Sequence, residues 1–240
     1  MVIKPSEKTP LTALKFGEIL IECGLPKNLL NIVTGIDSKK IVDQLVTNQK
    51  IDIVSFTGGV NAGKAIARTM VNNGNELKKY MPELGGNATF VVMDDCDVDL
   101  AANVALGAYA NSGQRCTAIR KVLLHNSIAD DFLQRFVELA SQIKYGDPMD
   151  PDIDMGTVIS TEQAEVIQSR VENAVRDGAR VLLGNERDGA LLAPTIVDNV
   201  SHSSELVVEE TFGPVASIMR IDNIEDAISL IKSSRFRLAG

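Results

Sequence analysis

Short β-branched segments alternate with segments of helical period along the 240-residue chain. The segments IDIVSF, ATFVVM, RKVLLH and ASIMRI have the length and composition of buried strands, and amphipathic helical patterns lie between them. Such alternation predicts a mostly parallel sheet, because a parallel neighbour is reached through a crossover that is usually a helix. The sequence therefore predicts an α/β fold, and its 45% hydrophobic residues are enough for a sizeable core.

Capping patterns mark several predicted helix boundaries. Thr9 precedes a proline and an apolar-periodic segment, so we expect it to cap the first helix. Ser127 and Asp130 resemble a capping box and predict a helix that continues to Ile143. Residues 98–111 predict one continuous helix, with acidic residues near its start that complement the helix dipole.

Charge and cysteine content argue against several classes of function. The formal net charge of −8 disfavours nucleic acid or an anionic membrane surface as the main partner. No apolar run is long enough to span a bilayer, and the first residues lack the apolar core of a secretory signal. The three cysteines, Cys23, Cys96 and Cys116, lie far apart without metal-ligand spacing. We therefore expect free thiols, no bound metal and a cytoplasmic location.

The segment FTGGVNAGKAI follows a predicted strand and leads into a predicted helix. Gly58, Gly63 and Lys64 fit the pattern of a nucleoside-triphosphate loop, but Ala65 lacks the hydroxyl that would bind Mg²⁺. A glycine-rich turn before a helix still suits an anion, because the first helical N–H groups are free and the dipole favours negative charge. A metal-free pyrophosphate is one interpretation, and a tight turn without any ligand is the other.

Five segments resemble those of the NAD(P)-dependent aldehyde dehydrogenase superfamily, in the same order and with similar spacing. They are KPSEKTPL (4–11), FTGGVNAG (56–63), ELGGN (83–87), SGQRCTA (112–118) and EETFGPV (209–215). The resemblance implies an aldehyde dehydrogenase-like α/β fold. It would comprise a partial Rossmann-type NAD-binding domain (1–85) and a parallel-sheet α/β catalytic domain (86–240) that is truncated at its C-terminal end. It also favours a dinucleotide for the glycine-rich turn.

The resemblance implies a set of cofactor-binding residues. Lys4, Ser6 and Glu7 correspond to the segment for the adenosine ribose. The pyrophosphate would lie along the turn, and the remaining contacts would come from the segments around the general base and the nicotinamide ribose: Gly58, Gly59, Gly63, Leu84, Glu210 and Phe212. A carboxylate at Glu7 suits free ribose hydroxyls and would repel a 2′-phosphate, so we expect NAD, with NADP as the alternative.

Two residues are expected to carry the chemistry. Cys116 corresponds to the nucleophile, and a thiolate is strongly nucleophilic even when only partly ionised. Arg115 beside it would favour the charged thiolate. Glu83 corresponds to the general base that activates water to hydrolyse the thioester. The implied reaction is oxidation of an aldehyde to its carboxylic acid with NAD(P)⁺.

The sequence indicates less about the substrate and the oligomeric state. The segment GQRCTAIRKV is most similar to the branch with lactaldehyde, phosphonoacetaldehyde and non-phosphorylating glyceraldehyde-3-phosphate dehydrogenases. Arg115, Arg120 and Arg235 would suit a small anionic aldehyde, although surface ion pairs explain them equally well. Members of the superfamily are longer chains, so this one corresponds to the middle of such an enzyme, with a homo-oligomer expected for the full-length form.

Three alternatives remain open at this stage. The chain could be a non-catalytic dinucleotide-binding domain or an inactive fragment that keeps the fold. It could bind ATP through the glycine-rich turn, although Ala65 argues against this. It could also be a thiol hydrolase that pairs Cys116 with His125, but a predicted strand separates the two residues.

Overall fold

The computed structural model describes residues 1–73 and 77–240. It divides into two compact units, Met1–Leu84 and Gly85–Gly240. Both contain alternating helices and strands, so the predicted α/β class is confirmed. The functions expected for the two parts of the chain stay predictions.

The first unit contains two small parallel sheets. Strand β1 pairs with β2, and β3 pairs with β4. A small apolar cluster of Val46, Ile66 and Met70 lies where the helices α2 and α3 pack together. The elements are β1 Val2–Ile3, α1 Leu11–Glu22, β2 Asn31–Ile32, α2 Ser38–Thr47, β3 Ile53–Thr57, α3 Val60–Asn73 and β4 Lys79–Glu83.

The second unit is built on a five-stranded sheet with the order β5-β6-β11-β10-β7. Its strands and helices are β5 Ala88–Val92, α4 Val98–Ala105, β6 Ile119–His125, α5 Ala129–Ala140, α6 Thr161–Arg176, β7 Arg180–Leu183, β8 Arg187–Asp188, β9 Leu191–Leu192, β10 Thr195–Asp198, α7 Glu205–Val208, β11 Val215–Ile221 and α8 Ile224–Ser233. Alternate residues of β6 belong to two separate apolar clusters, one on each face of the sheet. Helices of this unit therefore cover both faces.

The central strand β6 shows how the sequence specifies this packing. Val122 and Leu124 lie in the cluster with Phe132 and Phe136 of α5, and all four are fully buried. Leu123 points to the opposite face and packs with residues of α6. A strand that is buried on both faces needs a continuous apolar run, which is what the segment RKVLLH provides.

One edge of the sheet departs from the parallel expectation. Strand β7 runs antiparallel to β10, whereas β5, β6, β11 and β10 are parallel neighbours. The chain between β7 and β10 forms the short hairpin β8–β9 and no helix. Without a crossover the chain returns in the opposite direction, so the pair is antiparallel.

Three expected helix boundaries differ in the structure. The predicted cap at Thr9 is wrong, because Pro10 occupies the N-cap position and its carbonyl accepts from the Leu14 N–H. The predicted capping box at Ser127 is also wrong, since a 3-10 turn precedes α5 and the Ser127 hydroxyl bonds to the His125 ring instead. Helix α5 ends at Ala140, three residues before the predicted end. Among the described residues, no helix is both long and apolar enough to cross a membrane.

Candidate active site

Cys116 lies on a loop with an unusual backbone. The predicted continuous helix at 98–111 ends at Ala105, and 3-10 turns follow before β6 begins at Ile119. Asn111, Ser112 and Gly113 all have positive φ angles, of 54°, 54° and 67°. Left-handed backbone is unfavourable for residues other than glycine, and such strain clusters at functional sites.

Side chains of the loop hold it against the segment 156–159. The Ser112 hydroxyl donates to the Gly156 carbonyl at 2.9 Å. The Gln114 side chain accepts from the Ile159 N–H at 2.8 Å and donates to the Thr157 carbonyl at 3.3 Å. These contacts fix the loop while the Cys116 thiol stays exposed, so an external electrophile can reach it.

Gly113 is required by its surroundings as well as by its backbone angle. A Cβ atom there would lie 2.1 Å from the Gly213 carbonyl oxygen and 2.9 Å from that of Ala108. The nucleophile loop and the EETFGPV segment therefore approach each other at their backbones. Sequence reasoning named the two segments separately, and the structure brings them together.

Arg120 is fully buried, at 2% exposure, so a surface ion pair does not explain this residue. Its Nη2 donates to the Arg115 carbonyl at 2.8 Å and its Nη1 donates to the Gly213 carbonyl at 3.3 Å. Its Cζ lies 5.3 Å from the centre of the Phe212 ring. Arg120 thus supports both the nucleophile loop and the EETFGPV segment, a role that no sequence signal had indicated.

Glu210 is held by the segment that follows Glu83 and Leu84 in the chain. Its Oε1 accepts from the Gly86 N–H at 3.0 Å. A Cβ at Gly85 would lie 2.1 Å from Glu210 Oε2, and a Cβ at Gly86 would lie 2.1 Å from the Cys116 carbonyl oxygen. The two glycines allow the Glu210 carboxylate and the Cys116 backbone to approach closely. Cys116, Glu210 and Phe212 are therefore grouped within the second unit.

Arg170 of α6 fixes the backbone of the same segment. Its Nη1 donates to the Glu210 carbonyl at 2.9 Å and to the Thr211 hydroxyl at 3.1 Å. Sequence reasoning missed this residue, because an arginine in a regular amphipathic helix looks like any solvated charge.

The predicted ribose segment of the first unit forms a polar cluster. Lys4 Nζ lies 3.2 Å from Glu7 Oε2, and the Ser38 hydroxyl bonds to both side chains. The hydrogen bond from Ser38 is the main reason that the pKa of Glu7 is lowered to about 2, with smaller contributions from a backbone N–H and Lys4. Glu7 is therefore ionised at neutral pH. Ser38 was not predicted, whereas Ser6 bonds only locally, accepting from the Lys8 N–H at 3.2 Å.

The three glycines of the predicted pyrophosphate turn differ in their surroundings. A Cβ at Gly59 would meet no atom within 4 Å, so the backbone there is open to a ligand. A Cβ at Gly58 would lie 2.6 Å from the Phe56 ring, and one at Gly63 would lie 2.5 Å from Leu84 Cδ2. The Gly63 carbonyl also accepts from the Tyr80 hydroxyl at 3.0 Å. Gly63 thus allows α3 to pack closely on its neighbours, while the backbone of Gly59 stays accessible to a ligand.

Glu83 is the last residue of β4, and its side chain is exposed. Its backbone carbonyl accepts from the Gly58 N–H at 3.0 Å, which extends the β3–β4 pairing into the glycine-rich turn. Pro82 is tolerated because β4 pairs only with β3 among the described residues. The first unit therefore presents Glu83 at the end of a strand next to the turn.

The structure argues against a thiol hydrolase. His125 is the last residue of β6, and the nucleophile loop precedes the first. A strand of this length spans about 20 Å, too far for a hydrogen bond. The two His125 ring nitrogens instead lie 2.8 Å from the Ser127 hydroxyl and from the Asp222 carbonyl.

Comparison with known proteins identifies the relatives of this arrangement. The model of the aldehyde dehydrogenase family matches residues 1–240. The 3-sulfolactaldehyde dehydrogenase of Priestia aryabhattai is 34% identical over 239 residues, which cover 99% of this chain and 49% of that protein.

Solved structures share the fold. An NADP-dependent enzyme of Escherichia coli superposes with a TM-score of 0.94 at 32% identity, over 100% of this chain and 50% of that one. Betaine aldehyde dehydrogenase from Staphylococcus aureus, in complex with NAD⁺, gives 0.88 at 36% identity, over 97% and 47%. The chain thus spans about half the length of the relatives that it matches. Its fold is that of the aldehyde dehydrogenases, and the chain belongs to the aldehyde dehydrogenase family.

Proposed function

We propose that this chain carries the nucleophile, the general base and much of the cofactor site of an enzyme that oxidises a small anionic aldehyde to its carboxylic acid with NAD(P)⁺. The observation that carries the proposal is the presentation of Cys116. Its thiol is exposed three residues after a run of three left-handed residues, and side chains of the loop itself hold the loop against the backbone of the segment 156–159. An inert structural cysteine needs no such strained and exposed setting.

The Cys116 thiolate attacks the aldehyde carbon, and the carbonyl electron pair moves to oxygen to give a tetrahedral thiohemiacetal anion. Collapse of that anion expels hydride from the carbon and leaves a thioester on Cys116. A bound NAD(P)⁺ would supply the acceptor for this hydride, and Glu210 and Phe212 would hold its nicotinamide end. A thiolate suits the first step because it is strongly nucleophilic and leaves readily from the thioester.

Glu83 completes the reaction as general base. Its carboxylate removes a proton from water as the oxygen attacks the thioester carbon, and the thiolate of Cys116 leaves. The position of Glu83 at an exposed strand end supports this role, since no hydrogen-bond or ion-pair partner of its carboxylate is found within the described residues. A carboxylate that capped a helix or formed an ion pair would be less free to act as a base.

The residues of the first unit fit a dinucleotide. A Cβ at Gly59 would meet no atom of the described residues within 4 Å, and Gly59 directly precedes α3, whose first N–H groups favour a pyrophosphate. The ionised Glu7 is suited to accept hydrogen bonds from the two ribose hydroxyls. Lys4 and Ser38 lie beside it and offer donors, which is why both NAD and NADP remain in the proposal.

An anionic substrate is favoured by Arg115. It is exposed and directly precedes Cys116, so its guanidinium can pair with a charged group of the aldehyde. The similarity to a 3-sulfolactaldehyde dehydrogenase agrees with such a substrate. Arg235 is a weaker candidate, because it forms an ion pair with Glu209 and stacks on Phe236.

Hydride transfer tests the proposal. NADH formation should be measured with 3-sulfolactaldehyde and with lactaldehyde, which lacks the sulfonate, for the unmodified chain and for Cys116→Ala, Glu83→Gln and Arg115→Gln. We expect Cys116→Ala to be inactive and Arg115→Gln to lose the preference for the sulfonated aldehyde. Equal NADH formation by Cys116→Ala would contradict the proposal. NAD binding without hydride transfer in any variant would support a non-catalytic dinucleotide-binding domain instead.

A further inference from the structure

Arg120 is a buried cation without a counter-ion in contact. Its side chain is among the largest fully buried groups, and no carboxylate of the described residues lies within ion-pair distance. Its Nε is buried and has no hydrogen-bond partner within the described part of the chain. Burying a charge with an unpaired donor lowers the free energy of unfolding, so stability alone does not explain this residue.

The guanidinium connects two loops that are far apart in sequence. One hydrogen bond goes to the carbonyl of Arg115, the residue before the nucleophile, and the other to the carbonyl of Gly213. The planar, rigid fork of arginine can hold two acceptors at a fixed separation, which the flexible ammonium of lysine cannot do.

A β-bulge directs Arg120 into this position. The pairing of β5 with β6 passes from Ala88 opposite Ile119 to Thr89 opposite Lys121, so Arg120 is the extra residue. Bulges next to active sites re-aim a side chain that regular alternation would send elsewhere. The residue that the bulge frees is the one that reaches both loops.

Arg120 keeps its positive charge although it is buried. Burial lowers the pKa of Arg120 to about 10, while the charges of Glu210 and Cys116 act in the opposite direction. The guanidinium therefore remains protonated at neutral pH. Its Cζ lies 5.3 Å from the centre of the Phe212 ring, a cation–π contact with a residue expected to position the nicotinamide.

We propose that Arg120 is a positioning residue, which sets the Cys116 loop against the 210–213 segment through two carbonyls and thereby controls the reactivity of the Cys116 thiol. The inference rests on the proposed role of Cys116. Its test nevertheless requires neither aldehyde nor cofactor, so failure of the dehydrogenase assay and failure of this inference can be told apart.

The experiment measures how fast iodoacetamide alkylates Cys116, with each cysteine resolved by peptide mass spectrometry. The exposed Cys23 at the end of α1 serves as the internal reference. The variants are Arg120→Met, which removes both the positive charge and the forked guanidinium, and Arg120→Lys, which keeps the positive charge but not the forked guanidinium. Arg220→Met is the matched control, because it removes another arginine of the second unit, one that bonds to Asp198 and not to the loop. The melting temperature of each variant is measured alongside.

At neutral pH we expect Arg120→Met to change the Cys116-to-Cys23 rate ratio by about fivefold or more, because the Cys116 loop is no longer held to the 210–213 segment. Arg120→Lys should change the ratio to a similar extent, because lysine keeps the charge but cannot hold both carbonyls, and an unchanged ratio in this variant would contradict the positioning role. Arg220→Met should keep the ratio although it melts earlier. An unchanged ratio in Arg120→Met, or an equal change in Arg220→Met, would overturn the proposal.

If Arg120→Met does not fold, Arg120→Lys decides through hydrogen exchange. Loss of the fork should increase amide exchange in both 112–118 and 210–215, with the remaining peptides of the second unit unchanged. Unchanged exchange in either segment, or a general increase across the unit, would contradict the positioning role.

Discussion

The contact between Gly113 and Gly213 gives a prediction whose size follows from the structure. A Cβ at Gly113 would lie 2.1 Å from the Gly213 carbonyl oxygen, more than 1 Å inside ordinary contact, and the obstacle is backbone and not a flexible side chain. The substitution Gly113→Ala also places alanine at a φ of +67°, which costs about 1 kcal/mol. Overpacking adds about 1–3 kcal/mol. We therefore expect Gly113→Ala to lower the free energy of unfolding by about 2–4 kcal/mol.

Gly178 offers a matched control that isolates the conformational cost of placing alanine at a positive φ. It follows α6 with a φ of +103°, and a Cβ there would meet no atom within 4 Å. Gly178→Ala should lower the free energy of unfolding by about 1 kcal/mol, because only the conformational cost remains. Urea unfolding followed by circular dichroism measures both variants at the same protein concentration.

The difference between the two variants isolates the steric term. A loss in Gly113→Ala that exceeds the loss in Gly178→Ala by about 1 kcal/mol or more supports a close approach of the nucleophile loop to the EETFGPV segment. Cys116 alkylation should change in Gly113→Ala and stay the same in Gly178→Ala. Equal losses of stability would refute the reasoning, because the 2.1 Å approach would then have no energetic consequence.

Two further predictions concern charged groups. Asp198→Asn should lower the free energy of unfolding by about 2 kcal/mol at neutral pH, since Asp198 is fully buried and bonds to Arg180 and Arg220. Burial raises the pKa of Asp198, but the hydrogen bonds from Arg220 and Arg180 outweigh this and lower the pKa below its ordinary value of 3.8. The contribution of Asp198 to the free energy of unfolding is therefore complete above pH 3.8 and is lost as the pH falls further. Denaturant titrations from neutral to strongly acidic pH check this, and a difference that grows on acidification would contradict it. Glu7→Gln should weaken NAD binding by about tenfold and NADP binding by less, because a charge-assisted hydrogen bond to the ribose is lost. Calorimetric titration with both dinucleotides measures this, and equal weakening would contradict a role in cofactor choice.

Much of the fold followed from patterns that act locally. Strand β6 was predicted from a short apolar run within the alternation of strand and helix segments, and β3 because its β-branched residues lead directly into the glycine-rich turn. Helix starts were less predictable. Thr9 and Ser127 are good capping residues, but the geometry of the entering chain decided which group satisfied the first N–H donors.

The candidate site likewise contains residues that the sequence could indicate and residues that only the structure indicated. Cys116, Glu83 and Glu210 could be proposed from the sequence because each lies in a short segment with a specific composition. Arg170 and Ser38 were not predicted, and Arg120 was considered only as a charge for the substrate or a surface ion pair. The contacts of these residues come from neighbours more than thirty residues away in the chain, or from a bulge that changes the direction of a side chain. Their residue types alone predict only solvated charges or a helix start.

The covalent intermediate tests the central claim most directly. Glu83→Gln should be mixed with 3-sulfolactaldehyde and NAD⁺, and the intact mass of the chain measured within one turnover. We expect a mass increase equal to the acyl group, located on the peptide that contains Cys116, because the thioester forms but its hydrolysis is slow. The double variant with Cys116→Ala should show no increase. An increase on another residue, or no increase while NADH accumulates, would contradict the assignment of Cys116 as the nucleophile.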